Sequence, residues 1–61
     1  MTTINFAFYD EVWNEDFIVN VPNTKNAKEE AMKIAKQYFC RPRCLGRVSD
    51  YYAETCGLDT Y

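Results

Sequence analysis

Three segments of the chain alternate apolar with polar or small residues, and a period of two predicts β-strands. The first strand is predicted over residues 3–13 and the second over residues 16–21, with a tight turn at Asn14-Glu15 between them. A third strand is predicted over residues 45–53, and residues 54–61 are interpreted as a tail. The predicted core face of the first two strands consists of Ile4, Phe6, Phe8, Val12, Phe17, Val19 and Val21.

Between the second and third strands, residues 27–39 carry apolar residues at helical spacing, which predicts one amphipathic helix. Asn26 is placed to cap the first turn, and Glu29 at the third helical position completes a capping-box pattern. Pro42 prevents the helix from continuing because it lacks a backbone donor. The apolar arc of the helix consists of Ala27, Ala31, Met32, Ile34, Ala35, Tyr38 and Phe39.

This order of elements, strand–strand–helix–strand, predicts an α+β fold in a single domain over residues 1–61. A helix that crosses over from the second strand to the third leaves those two strands parallel. The first strand then lies between them, antiparallel to both, in the order 2-1-3. One helix covers one face of this three-stranded sheet, and the prediction leaves the other face open.

The open face is predicted to carry the chain's only tryptophan. With the turn at Asn14-Glu15, Val12 lies opposite Phe17, and the residues of the other parity point away from the helix. Aromatic and arginine side chains are the usual anchors of protein interfaces, and nearby carboxylates steer a basic partner. We therefore predict a partner-binding face formed by Tyr9, Glu11, Trp13, Asp16 and Ile18, with Arg47 as an auxiliary contact.

Charge is distributed unevenly along the chain, whose formal net charge is −2. Residues 1–24 contain four carboxylates and no lysine or arginine, whereas residues 25–47 contain all seven basic residues. Basic side chains on a helix and in the following loop can contact phosphates. A small nucleic-acid-binding protein is therefore an alternative, with predicted contacts at Lys28, Lys33, Lys36, Arg41 and Arg43.

Few residues suggest a catalytic site or a metal site. The chain has no histidine, so the commonest general base is missing, and we expect a non-catalytic protein. Cys40 and Cys44 have the spacing of a zinc ligand pair and Cys56 follows, which leaves a structural zinc domain as a third alternative. A fourth ligand is hard to supply, and Arg41 and Arg43 would place positive charge beside the metal. Reduced thiols without a cofactor are the expectation.

Three short segments carry a resemblance to a known family: DFIVNV before the helix, EEAMKIAKQY inside it and GRV at Gly46–Val48. Over residues 5–50 the chain resembles the early podophage inhibitor of bacterial RNA polymerase. The resemblance implies a three-stranded sheet with one helix, in a monomer that binds and blocks a host enzyme. It also implies that Arg47, on the family's Arg-Val pair, contacts the target. The segment CRPRCL departs from the family pattern.

Several small anti-CRISPR proteins have a similar sheet-plus-helix layout. Both resemblances imply a phage or mobile-element protein that inhibits a host nucleic-acid-handling complex, RNA polymerase or a CRISPR effector, by steric and electrostatic occlusion. The partner is then a host protein or protein–nucleic-acid complex, and the inhibitor is a monomer or weak dimer. The N-terminal residues lack a basic signal-peptide region and no window is a membrane span, so we expect the host cytoplasm as its location.

Overall fold

Three strands form one antiparallel sheet: β1 (Thr3–Asp10), β2 (Glu15–Pro22) and β3 (Pro42–Val48). The computed structural model describes residues 2–61. The strand order is β2-β1-β3, and helix α1 (Ala27–Tyr38) connects the two outer strands. The predicted α+β class, strand order and strand directions are therefore confirmed.

The core lies between α1 and one face of the sheet. Small residues such as Ala31 and Ala35 are fully buried on α1 and let the helix approach the strands closely. The ring of Phe17 stacks on Phe8 with 5.4 Å between centroids and on Phe39 with 4.0 Å. The strand residues predicted for the core are buried there except for Val12: Ile4, Phe6, Phe8, Phe17, Val19 and Val21.

The connection between β1 and β2 differs from the predicted two-residue turn. β1 ends at Asp10, and the next four residues form a loop that closes at Asn14, with φ 57°. Asparagine tolerates this left-handed conformation better than most residues. Phe8 pairs with Phe17, four residues away from the predicted register, and an even shift keeps each side chain on its face. The predicted place of Val12 in the core is wrong, because Val12 lies in the loop and is 55% exposed.

Helix α1 ends one residue earlier than predicted, at Tyr38. The predicted capping box is wrong, because the Asn26 side chain makes no cap hydrogen bond. A capping side chain needs an extended backbone, whereas Asn26 has φ −103° and ψ 20°. Its backbone carbonyl accepts the first hydrogen bond of the helix, from the Glu30 N–H at 2.9 Å.

Strand β3 begins three residues earlier than predicted, at Pro42, and stops at Val48. Proline is tolerated there because it opens an edge strand. A β-bulge places Leu45 between the residues that pair with Phe8 and Ala7. The extra residue breaks the period of two, which is why alternation alone placed this strand too late.

A second helix, α2 (Asp50–Thr55), replaces the predicted end of the third strand. The Ser49 hydroxyl caps it by accepting a hydrogen bond from the Tyr52 N–H at 3.1 Å. An N-cap serine directly after Val48 therefore ends the strand and starts the helix. In the part of the chain that the structure describes, neither helix is long and apolar enough to cross a membrane.

The second face of the sheet is partly covered, so the prediction that this whole face is open is wrong. On this face the Asn5 Nδ2 donates to the Asp50 Oδ1 of α2 at 2.8 Å. Beyond α2 the chain reaches the outer edge of β2, where the Ile18 N–H donates to the Asp59 carbonyl oxygen at 2.8 Å. Ile18 is fully buried. The residues interpreted as a tail are therefore part of the packed structure.

Candidate protein-docking surface

The loop between β1 and β2 presents the chain's only tryptophan to solvent. Trp13 is 62% exposed, and the adjacent Val12 is also largely exposed. Large apolar side chains outside the core are the anchors that protein interfaces use most. We call this region the hairpin-end surface and define it as Tyr9, Glu11, Val12, Trp13, Asp16 and Arg43.

Three members of the hairpin-end surface form a row across the sheet. Tyr9 pairs with Asp16 of β2 and with Arg43 of β3, so all three lie on the face opposite α1. The Tyr9 hydroxyl donates a hydrogen bond to the Asn14 Oδ1 at the end of the loop. Helix α2 packs near Asn5, toward the other end of this face, and leaves the row accessible.

Asp10 holds the hairpin loop in one conformation. Its carboxylate is fully buried and accepts hydrogen bonds from the Trp13 N–H at 2.6 Å and the Arg41 N–H at 2.9 Å. The Glu11 N–H donates to the Arg41 carbonyl oxygen at 3.3 Å. A buried carboxylate requires such partners, so the loop and the segment before β3 form one unit. A loop held in this way loses little conformational entropy when Trp13 binds a partner.

The structure brings the acidic hairpin next to the basic segment that precedes and enters β3. The Arg43 Nη1 lies 3.6 Å from the Glu11 Oε1, and both side chains are largely exposed. Water and salt screen such a pair, so it contributes little to stability. The surroundings of Trp13 therefore have mixed charge, and the nearby arginine is Arg43 rather than the predicted Arg47. An apolar centre with a polar, charged rim is the usual composition of a protein interface.

Four of the predicted contact residues lie together at the hairpin end: Tyr9, Glu11, Trp13 and Asp16. The other two do not join them. Ile18 was predicted to be exposed, but its side chain is fully buried, and the C-terminal residues pair with its backbone. Arg47 pairs with Phe6, which places it on the α1 face, and it lines a hollow with Ile4 at the opposite end of the sheet.

Sequence reasoning missed two contributors to this surface and the residue that organises it. Val12 was assigned to the core because the alternation continues past the true end of β1. Arg43 was assigned to a nucleic-acid contact, since its pairing with Tyr9 depends on the bulge in β3. Asp10 falls inside the predicted first strand, which extends to residue 13. An aspartate at the start of a turn is an Asx-turn signal, and that signal could have ended β1 at Asp10.

The cysteines do not contribute to the hairpin-end surface, and none of them forms a disulfide. Cys44 packs against the core and Cys40 is exposed. The Cys56 Sγ accepts a hydrogen bond from the Leu58 N–H and donates to the Ala53 carbonyl oxygen. Within the described residues, no three histidine, cysteine, aspartate or glutamate side chains come together to hold a metal ion.

The basic residues of the nucleic-acid alternative are all exposed: Lys28, Lys33, Lys36, Arg41 and Arg43. They are spread over more than one side of the molecule. The lysines belong to α1, on one side of the sheet, whereas Arg43 lies on the opposite face beside Tyr9. These exposed lysine and arginine side chains therefore do not form one continuous basic surface of the kind that follows a phosphate backbone.

Comparison of the chain with protein-family models, with curated proteins and with solved structures found no match.

Proposed function

We propose that the chain is a non-catalytic binding protein that docks onto another protein through the hairpin-end surface. The observation that carries this proposal is the exposure of Trp13, at 62%, in a loop that the buried Asp10 carboxylate holds in place. A domain of this size has a small core, so leaving its largest apolar side chain in water gives up stabilisation that burial would provide. Burial of that side chain against a partner accounts for its position.

The partner that fits best is a host nucleic-acid-handling complex, which the chain would inhibit in the host cytoplasm by occupying a basic channel. Glu11 and Asp16 beside Trp13 would face the basic residues of such a channel, and Arg43 would meet its acidic rim. The resemblance to phage inhibitors of RNA polymerase, and to anti-CRISPR proteins of similar layout, supports the same class of target. Arg47 has no place in this contact, because it lies on the other face of the sheet.

An affinity capture from nuclease-treated bacterial lysate tests the proposal. The bait is the wild-type chain, with Trp13→Ala as the test variant and Tyr51→Ala as the matched control. Tyr51 is the more exposed aromatic residue, at 77%, and lies on α2, outside the hairpin-end surface. We expect a polymerase or CRISPR effector subunit to be retained by the wild type and by Tyr51→Ala but lost with Trp13→Ala.

Equal retention by all three baits would contradict the proposed surface. A parallel capture from untreated lysate tests the nucleic-acid alternative: partners retained by every bait there, but by none after nuclease treatment, would favour it. In that case the purified chain should be retained on a single-stranded DNA column. The substitutions Lys36→Glu and Arg43→Glu should weaken this retention, because each replaces a positive charge that attracts phosphates with a negative one.

A further inference from the structure

The outer edge of β2 is occupied by residues 59–61, which run parallel to it as a short additional strand. The Ile18 N–H donates to the Asp59 carbonyl oxygen, and the Tyr61 N–H donates to the Ile18 carbonyl oxygen, both at 2.8 Å. The Asn20 N–H donates to the main-chain oxygen of Tyr61 at 2.9 Å. Adding an extended segment to a sheet edge in this way is a common mode of peptide recognition.

An aromatic side chain anchors this segment between β2 and α1. The Tyr61 ring meets Phe17 and Phe39 edge-to-face, with 5.7 Å and 5.6 Å between centroids and interplanar angles of 90°. The Tyr38 ring of α1 lies 4.8 Å away on another side. Main-chain hydrogen bonds are available to any sequence, so this aromatic site is what gives the edge a preference for one kind of residue.

The groove between β2 and α1 continues beyond Tyr61. The last residues of β2 and the side of α1 line an open hollow of about 400 Å³. Glu30 and Ile34 line this hollow, and Tyr38 follows at the same spacing of four. One stripe of α1 therefore borders both the hollow and the aromatic site around Tyr61. The Glu30 Oε2 is buried without a hydrogen-bond partner among the described residues, and a donor entering the groove would satisfy it.

We propose that the β2–α1 groove binds an extended strand from another protein, and that residues 59–61 are an internal ligand that competes for it. The incoming strand carries an aromatic side chain in the place of Tyr61. Side chains alternate along a strand, so the residue two positions later faces α1 and the hollow. A lysine there supplies donors to the Glu30 carboxylate. The groove is separate from the hairpin-end surface, so each proposal can fail without the other.

Two labelled peptides test the groove. GLDTYAK repeats residues 57–61 and adds alanine and lysine, whereas GLDTAAK lacks the aromatic ring. In the full chain, Tyr61→Gly weakens the hold of residues 59–61 on the groove. With this internal competitor weakened, the variant should bind GLDTYAK at least about tenfold more tightly than the wild type does. The variant should also prefer GLDTYAK to GLDTAAK. The control Tyr51→Ala, which removes a tyrosine elsewhere, should leave the wild-type affinity unchanged.

Tyr61 contacts the core, so the Tyr61→Gly substitution also weakens the fold. A second measurement therefore uses the wild-type chain. We expect excess GLDTYAK to shift the amide resonances of Ile18 and Asn20, whose N–H groups bond to the internal strand, and GLDTAAK to leave them unchanged. Equal affinity for the two peptides would overturn the proposal. So would unchanged Ile18 and Asn20 resonances in the wild type at saturating peptide.

Discussion

Two groups of aromatic residues differ in what accounts for their positions. The Phe17 ring stacks on Phe8 and on Phe39 in the core, with Tyr61 at their edge, and burial of these rings stabilises the fold. Trp13 stands in the hairpin loop, where only its backbone is tied down. The comparison separates residues that hold the molecule together from a residue whose position the fold does not explain. The first group should control stability, and Trp13 should control binding.

The largest effect should come from the buried group. Phe17→Ala removes the ring that contacts Phe8, Phe39 and Tyr61, and a Phe→Ala change in a core costs about 3–5 kcal/mol. A domain of this size has a net stability of about 3–5 kcal/mol, so we expect the variant to be unfolded at 25 °C. Circular dichroism against urea measures this. A cooperative transition at the wild-type midpoint would show that the stack is not the main source of stability.

An intermediate effect is expected at Asp10, which joins the two regions. Asp10→Ala removes both backbone hydrogen bonds to its carboxylate and should lower the free energy of unfolding by about 2 kcal/mol. It should also speed hydrogen exchange at the Trp13 and Arg41 amides. Asp10→Asn is the matched control. Asparagine keeps one of the two acceptor oxygens, so the loss of unfolding free energy should be smaller. Unchanged exchange at both amides in Asp10→Ala would mean that something else holds the loop.

A smaller effect is expected at the ion pair on the hairpin-end surface. Glu11→Gln removes the partner of Arg43, but both side chains are exposed, so the free energy of unfolding should change by less than about 0.5 kcal/mol. The change should shrink further in high salt, because salt screens exposed charges. Chemical denaturation at two ionic strengths measures both. A loss that persists in high salt would indicate a structural role that the observed geometry does not account for.

The smallest effect on stability is expected at Trp13 itself. Trp13→Ala should change the free energy of unfolding by no more than about 0.5 kcal/mol, as for other exposed substitutions. Thermal unfolding beside the Tyr51→Ala control measures this. A loss comparable to that of Phe17→Ala would place the indole in the core and end the division into two groups.

The two faces of the sheet differ in how much of them could be predicted from the sequence. Apart from Val12, the face packed against α1 was predicted correctly, because its residues occupy every second position within β1 and within β2. A register error of four residues did no harm to it, since four is even. The single error in that set was Val12, where the alternation runs on into a loop.

The second face could not be predicted because its cover depends on local signals that the alternation hides. A bulge at Leu45 shifts β3, and the Ser49 cap turns the next residues into α2. The strand formed by residues 59–61 depends on contacts with Phe17 and Phe39, which are far away in sequence. Trp13 is exposed, as predicted, but for a different reason. The prediction placed it on the open face of the sheet, whereas it lies in the loop between β1 and β2.

The most direct test of the account is solvent footprinting of Trp13 in the free chain and in the captured complex. Oxidative labelling read by mass spectrometry reports both states for the single tryptophan, with Tyr51 as an internal control. We predict that Trp13 is labelled readily in the free chain and strongly protected in the complex, while Tyr51 is labelled equally in both. Equal labelling of Trp13 in the two states would contradict docking through the hairpin-end surface.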